Sequence, residues 1–215
     1  MLGRFLVSAA LIFSSVSSIA SDDHNHPSAA NIDLSKSYTL IENPQAVPAN
    51  GMVHVEELFW YGCGHCFSLE HNVTNWLSKL PADVEFSRIP AMFGKSWLIH
   101  AQLYFTSEVL GVTEKSHGDI FKAIHINGKR LQKKSEQQEF LATYGVSEED
   151  FNKAYDSFTV KSRLKQGDKR IRAYKVSGVP AIVVNGKYLV SASSAGGQEN
   201  VFKVVDYLIE KERNK

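Results

Sequence analysis

The sequence predicts an α/β fold in which the two halves of one sheet are separated by a helical insertion. Three observations carry this. Residues 52–61, 63–80 and 84–89 read as apolar strand, amphipathic helix and alternating strand, the pattern of a parallel βαβ unit. Residues 96–174 carry helical periodicity only. Strand patterns then return at 181–184 and 188–190 and lead into a last amphipathic helix. Such an order implies one sheet and one core, with residues 37–95 and 175–215 forming one domain around the insertion 96–174.

Residues 1–20 have the form of a secretory signal peptide. Arg4 precedes a short apolar core at 5–13, and Ser18 and Ala20 occupy the −3 and −1 positions of a cut after Ala20. Serines from position 14 onward interrupt the run short of the roughly 20 apolar residues of a membrane anchor. Residues 21–36 read as a flexible leader, where His24 and His26 are expected in solvent rather than on a metal. A short strand at 38–42 and a breaker-rich loop at 43–51 precede the central strand 52–61, whose Val, Leu, Phe and Trp content suits burial on both faces.

In the following helix Cys66, Leu69, Val73, Trp76, Leu77 and Leu80 recur at helical spacing until Pro81. Pro90 closes the next strand. Helices are expected at about 97–110, 118–126, 135–144, 147–155 and 160–174, with Ser135 and Ser147 as caps. Asn185-Gly186 predicts a type I′ hairpin, 191–197 a small-residue loop, and Val201, Phe202, Val204, Val205, Leu208 and Ile209 the inward face of the final helix.

The chain has two cysteines, and both lie in Cys63-Gly64-His65-Cys66 at the junction of strand and helix. A helix start surrounds the first sulfur with unpaired N–H groups and the positive end of the macrodipole, which favours a thiolate. His65 adds positive charge or a hydrogen bond beside it. Thiol–disulfide exchange is the chemistry this arrangement suits. A zinc site would need a second Cys or His pair, and His54, His71, His100, His117 and His125 offer none at ligand spacing. A purely structural bridge closing so short a loop constrains the unfolded chain little. An exported chain of this length with one cysteine pair therefore keeps it for chemistry. With 24 basic and 23 acidic residues and a net charge of +1, nothing points to a nucleic-acid partner or an acidic target.

Cys-x-x-Cys opening a helix, followed far downstream by Gly178-Val179-Pro180-Ala181 before a hairpin, resembles the thioredoxin fold. The inserted helices, the export signal and Phe59-Trp60-Tyr61-Gly62-Cys63-Gly64-His65-Cys66 together resemble the DsbA family of bacterial periplasmic oxidoreductases over residues 38–210. The resemblance implies that Cys63 is the nucleophile and Cys66 the buried resolving cysteine. It also implies that Pro180 is the family's cis-proline, presenting Val179 to an extended substrate beside Gly64 and His65. No cofactor or metal is implied. The expected partners are reduced exported proteins and a DsbB-type inner-membrane reoxidase of a Gram-negative bacterium, with the protein a monomer. Gly64 departs from the proline of the best-known family oxidases and matches the Cys-Gly-His-Cys of eukaryotic isomerases. Isomerase or reductase activity is therefore the alternative, followed by a thiol-based metallochaperone or a chaperone module.

Glu57 lies on the face of the central strand shared by Val55 and Phe59, so its carboxyl points into a buried layer, at a cost of several kcal/mol unless it is paired or protonated. Family members hold an acid beneath the resolving cysteine, and the resemblance gives Glu57 that proton-handling role. The family's lysine partner would fall near Pro81-Ala82-Asp83, where there is none, so Glu57 is expected to carry a raised pKa or to find another partner.

Overall fold

A computed structural model describes residues 32–215; the expected signal peptide at 1–20 and most of the leader, with His24 and His26, lie outside the described residues. Five strands form one mixed sheet: β1 (Thr39–Leu40), β2 (Val53–Phe59), β3 (Val84–Pro90), β4 (Ala181–Val184) and β5 (Tyr188–Ser191), in the spatial order β1-β5-β4-β2-β3. The β2–β3 pair is parallel and is joined by helix α1 (Gly64–Leu77); the other pairs are antiparallel. Five helices follow β3: α2 (Lys95–Val109), α3 (Thr113–His125), α4 (Lys134–Ala142), α5 (Glu148–Tyr155) and α6 (Phe158–Tyr174). A short α7 (Ala192–Ala195) and the long α8 (Val201–Arg213) complete the chain.

Side chains alternate across the central strands as period two demands. Val53 and Val55 of β2, Ile182 and Val184 of β4 and Val190 of β5 meet Leu69 and Val73 of α1 and the apolar face of α8. On the opposite face Leu58, Ala181 and Val183 pack on Ile171 and Tyr174 of α6. Glu56 points the same way and is held by the Tyr174 hydroxyl and by Arg170 Nε at 2.6 Å. A third cluster joins the end of β2 to the insertion: Phe59, Tyr61 and Cys66 pack against Leu103, Ile120, Phe121 and Leu141. Through this cluster the helical block forms one wall of the cysteine site.

Several boundaries differ from the sequence expectation, each for a local reason. The central strand ends at Phe59 rather than Tyr61. Residues 60–63 form a turn closed by Cys63 N–H donating to Trp60 O at 2.9 Å, and a Cβ at Gly62 would come within 2.3 Å of the Trp60 indole. Helix α1 stops at Leu77, three residues before Leu80. Helix α3 begins at Thr113, five residues ahead of the expected 118. Ser135 is no cap: α4 begins at Lys134, and the Glu136 carboxylate accepts from the N–H groups of Gln132 and Lys133. Ser147 does cap α5, accepting from Asp150 N at 3.1 Å, and Ser157 caps α6 through Val160 N at 3.1 Å. The 191–197 segment contains α7 rather than only loop, because Ser191 and Ser194 each accept the other's N–H. Asn185 and Gly186 both have positive φ, 49° and 64°, as a type I′ turn requires.

Phe121 is fully buried where the insertion meets the end of β2. Phe121→Ala is expected to cost about 3–5 kcal/mol, read as a lower urea midpoint at an unchanged slope.

Candidate functional site

Cys63 sits at the N-cap of α1 in extended backbone, and Gly64 opens the helix. The Cys63 side chain is half-buried, while Cys66, one turn on, is fully buried. Cys63 Sγ lies 3.5 Å from the carbonyl oxygen of Val179, which brings the two halves of the sheet together at the sulfur. Its thiol is brought down to about 6 by a hydrogen bond from the Cys66 thiol, by the N–H groups of Cys66 and His65 and by the charge of His65, against the opposing effect of partial burial. Cys66 moves the other way. Its hydrogen bond to Cys63, its burial and the nearby charges of Cys63 and Glu57 push its thiol far up. One helix start thus yields one sulfur poised to ionise and one held protonated.

The Val179–Pro180 peptide is cis. Val179, Pro180 and Gly178 line an open groove of about 430 Å³ together with His65, Ser191 and Gln198. Val179, which lines the groove, meets Cys63 Sγ through its carbonyl, so an extended chain lying there would carry a thiol to the sulfur. On the other side of the site the Trp60 indole stacks on Trp97 of α2, with ring centroids 4.0 Å apart and planes 10° apart.

Glu57 is fully buried, and its partner is Arg88. The basic residue does not lie near 81–83, where the family pattern would put it. It stands directly opposite Glu57 in the parallel β2–β3 register, and Arg88 Nε donates to Glu57 Oε2 at 2.8 Å. Arg88 Nη2 donates in turn to Glu70 Oε1 of α1 at 3.1 Å. Burial raises both carboxyls, with Arg88 opposing, and the Glu70 charge raises Glu57 further. Glu57 Oε1 is buried with no protein partner. His117 of α3 places Nε2 3.4 Å from Glu70 Oε2, and its Nδ1 is 2.9 Å from the Tyr61 hydroxyl. Burial and then the Arg88 charge bring His117 down to about 3, so it is a neutral ring at pH 7.

The sequence reading found the cysteines, Glu57 and Pro180 but missed Arg88, Glu70, His117 and Tyr61. Two signals were present. Arg88 occupies the inward face of an alternating strand whose other inward residues are Val84 and Phe86, and Glu70 lies four residues after Cys66 on the same helix face. The other buried histidines have structural partners: His54 Nε2 lies 3.0 Å from Asn50 Oδ1, and His100 Nε2 donates to Arg130 O at 2.9 Å; Nε2 of the half-buried His125 donates to Tyr61 O at 2.8 Å. Among the described residues no group of three or more His, Cys, Asp or Glu side chains could hold a metal ion.

The fold and this pair of sulfurs define a thiol–disulfide oxidoreductase built on a thioredoxin-like sheet. Residues 82–208 match the family model of the DSBA-like thioredoxin domain, a span that begins after the cysteines. The thiol:disulfide interchange protein DsbA of Azotobacter vinelandii is 48% identical over 187 residues, covering 87% of each chain. That of Pseudomonas aeruginosa PAO1 is 46% identical, covering 83% of this chain and 84% of the relative. The crystal structure of Pseudomonas aeruginosa DsbA superposes with a TM-score of 0.79 at 46% identity over 84% of this chain and 94% of that one. The chain belongs to the DsbA family, and it is a protein dithiol–disulfide oxidoreductase.

Two outcomes follow from the site. Arg88→Met leaves two buried carboxyls without their cation and is expected to cost about 3–5 kcal/mol at pH 7. The loss should shrink as the pH is lowered and these carboxyls take up protons, which urea unfolding at pH 7 and pH 5 would read. Alkylation of Cys63 should rise through pH 6 and level off above it, whereas an ordinary thiol rises through about 8.5. The sign is that of a depressed folded pKa. The stabilisation of the reduced form is complete above the ordinary thiol value and is lost as pH falls through 6.

Proposed function

We propose that this chain is a periplasmic dithiol oxidase of a Gram-negative bacterium that passes its Cys63–Cys66 disulfide to newly exported proteins. The carrying observation is the split between the sulfurs, with Cys63 accessible and down near 6 and Cys66 buried and pushed up. A substrate thiolate attacks Cys63 Sγ, the Cys63–Cys66 bond breaks, and Cys66 leaves with the electron pair and takes up a proton. A second substrate thiolate then attacks the substrate sulfur of the mixed disulfide, and Cys63 leaves as a stabilised thiolate. The substrate loses two electrons and the enzyme gains them. A thiolate this well held is a good leaving group, which drives the exchange toward oxidised substrate and reduced enzyme.

In this reading Val179 and Pro180 offer their main chain and groove to an extended substrate, with Gly64 and His65 forming the facing edge. Glu57 handles the Cys66 proton from below. Its unpartnered Oε1 and raised pKa suit a group that gives and regains a proton. Residues 37–95 and 175–215 act as the catalytic domain and 96–174 as a cover over Tyr61 and Cys66. Residues 1–20 serve as a cleaved export signal, the protein works as a monomer, and a DsbB-type membrane protein reoxidises it. Gly64 favours a second reading, since with His65 it makes the Gly-His dipeptide that resembles that of eukaryotic isomerases: a less extreme potential with some disulfide reshuffling.

Cys63→Ser should abolish oxidation of a reduced two-cysteine peptide, and Cys66→Ala should accumulate mixed disulfides through Cys63, both read by mass spectrometry. Peptide oxidation by the Cys63→Ser variant at the parent rate would sink this assignment.

A further inference from the structure

The segment between β5 and α8 is a small built structure that ends at the cysteine motif. Ser191 and Ser194 cap each other across α7. Gly196 (φ +70°) and Gly197 (φ +141°) then reverse the chain, and a Cβ at Gly197 would come within 2.2 Å of the Glu199 carboxylate. A 3₁₀ turn at Gln198–Asn200 follows, and Asn72 of α1 donates to Gln198 O at 3.4 Å. So held, the Gln198 side chain crosses to the helix start, where Nε2 donates to the backbone oxygen of His65 at 2.8 Å.

That carbonyl belongs to the peptide group joining His65 to Cys66, a rigid plane whose other end is the Cys66 N–H. The Cys66 N–H is one of the donors that hold the Cys63 sulfur. A hydrogen bond accepted at the oxygen fixes the orientation of the plane and polarises the N–H, making it a stronger donor. Gln198 and His65 also both line the groove that contains Val179 and Pro180.

We propose that Gln198 is a positioning residue for the Cys63 thiolate, acting through the His65–Cys66 peptide and linking that thiolate to whatever lies in the groove. The proposal rests on Cys63 being the activated nucleophile. Its other supports come from α1 itself: the Cys66 thiol, the His65 N–H and the His65 ring. From the C-terminal half, Val179 O meets the sulfur itself and Gln198 reaches the His65–Cys66 peptide, from a place on the groove wall where a substrate segment would meet it.

The test is to titrate the Cys63 thiolate by ultraviolet absorbance in the parent, Gln198→Ala and Gln198→Glu, with thermal unfolding checked alongside. Glutamate keeps the shape but, as a carboxylate, cannot donate. Both variants should titrate higher than the parent by about 0.3 pH units, a roughly twofold change in thiolate equilibrium. Should Gln198→Ala fail to fold, Gln198→Asn, whose shorter amide falls away from the His65 oxygen, takes its place as the neutral variant. A parent near 6 with the neutral variant at the same value overturns the proposal, and a rise in Gln198→Glu alone, being the effect of its charge, overturns it as well. A parent near 8.5 overturns instead the reading of Cys63 as an activated nucleophile, and this proposal with it.

Discussion

A sulfur anion must be stabilised at Cys63 while the sulfur one turn away is denied one. The structure meets this demand with position more than with side-chain charge. Cys63 is at the cap, where N–H groups have no intrahelical acceptor, and Cys66 is inside the first turn, packed on Phe59, Tyr61 and the insertion. The same few residues of helix therefore lower one thiol and raise the other. The turn at 60–63 that aims the sulfurs depends on Gly62, where the Trp60 indole leaves no room for a side chain. The opposite wall comes from the far end of the chain through Val179 and Gln198.

Beneath the sulfurs lies a buried charged layer. Two carboxyls, Glu57 and Glu70, share the Arg88 guanidinium, so with both ionised the cluster carries an excess negative charge in a desolvated place. Burial outweighs the Arg88 charge and raises both acids despite their ion pairs, and the Glu70 charge raises Glu57 further. Removing Arg88 takes away the cation that both acids share. Removing one acid would leave a simple one-to-one ion pair. The neutral His117 ring closes the layer on the side of the insertion, so helices outside the thioredoxin-like half reach into it.

Most of this architecture was legible in the sequence because period and punctuation carry it. The βαβ unit, the Asn185-Gly186 hairpin and the amphipathic α8 all follow from spacing, and the cysteine motif announces its own chemistry. What was not legible depends on register and on competing hydrogen bonds. Arg88 could be assigned to Glu57 only once Val53 was known to pair with Val84. Ser135 matched a helix start by composition, but the Glu136 carboxylate satisfied the free N–H groups two residues earlier. The Gln198 link joins residues on opposite sides of the insertion and leaves no local trace in the sequence.

The insertion has a consequence for how the enzyme is made. Leu58 of β2 pairs with Ala181 of β4, so the central strand waits for a partner that follows the whole helical block in the chain. Contacts so distant in sequence are slow to form, because loop closure comes before any reward. Until β4 is in place, Cys63 and Cys66 sit on a βαβ unit with no Val179 wall, no groove and no Gln198. During that interval the future catalyst is an ordinary dithiol, and its chemistry arrives only with the C-terminal part of the chain.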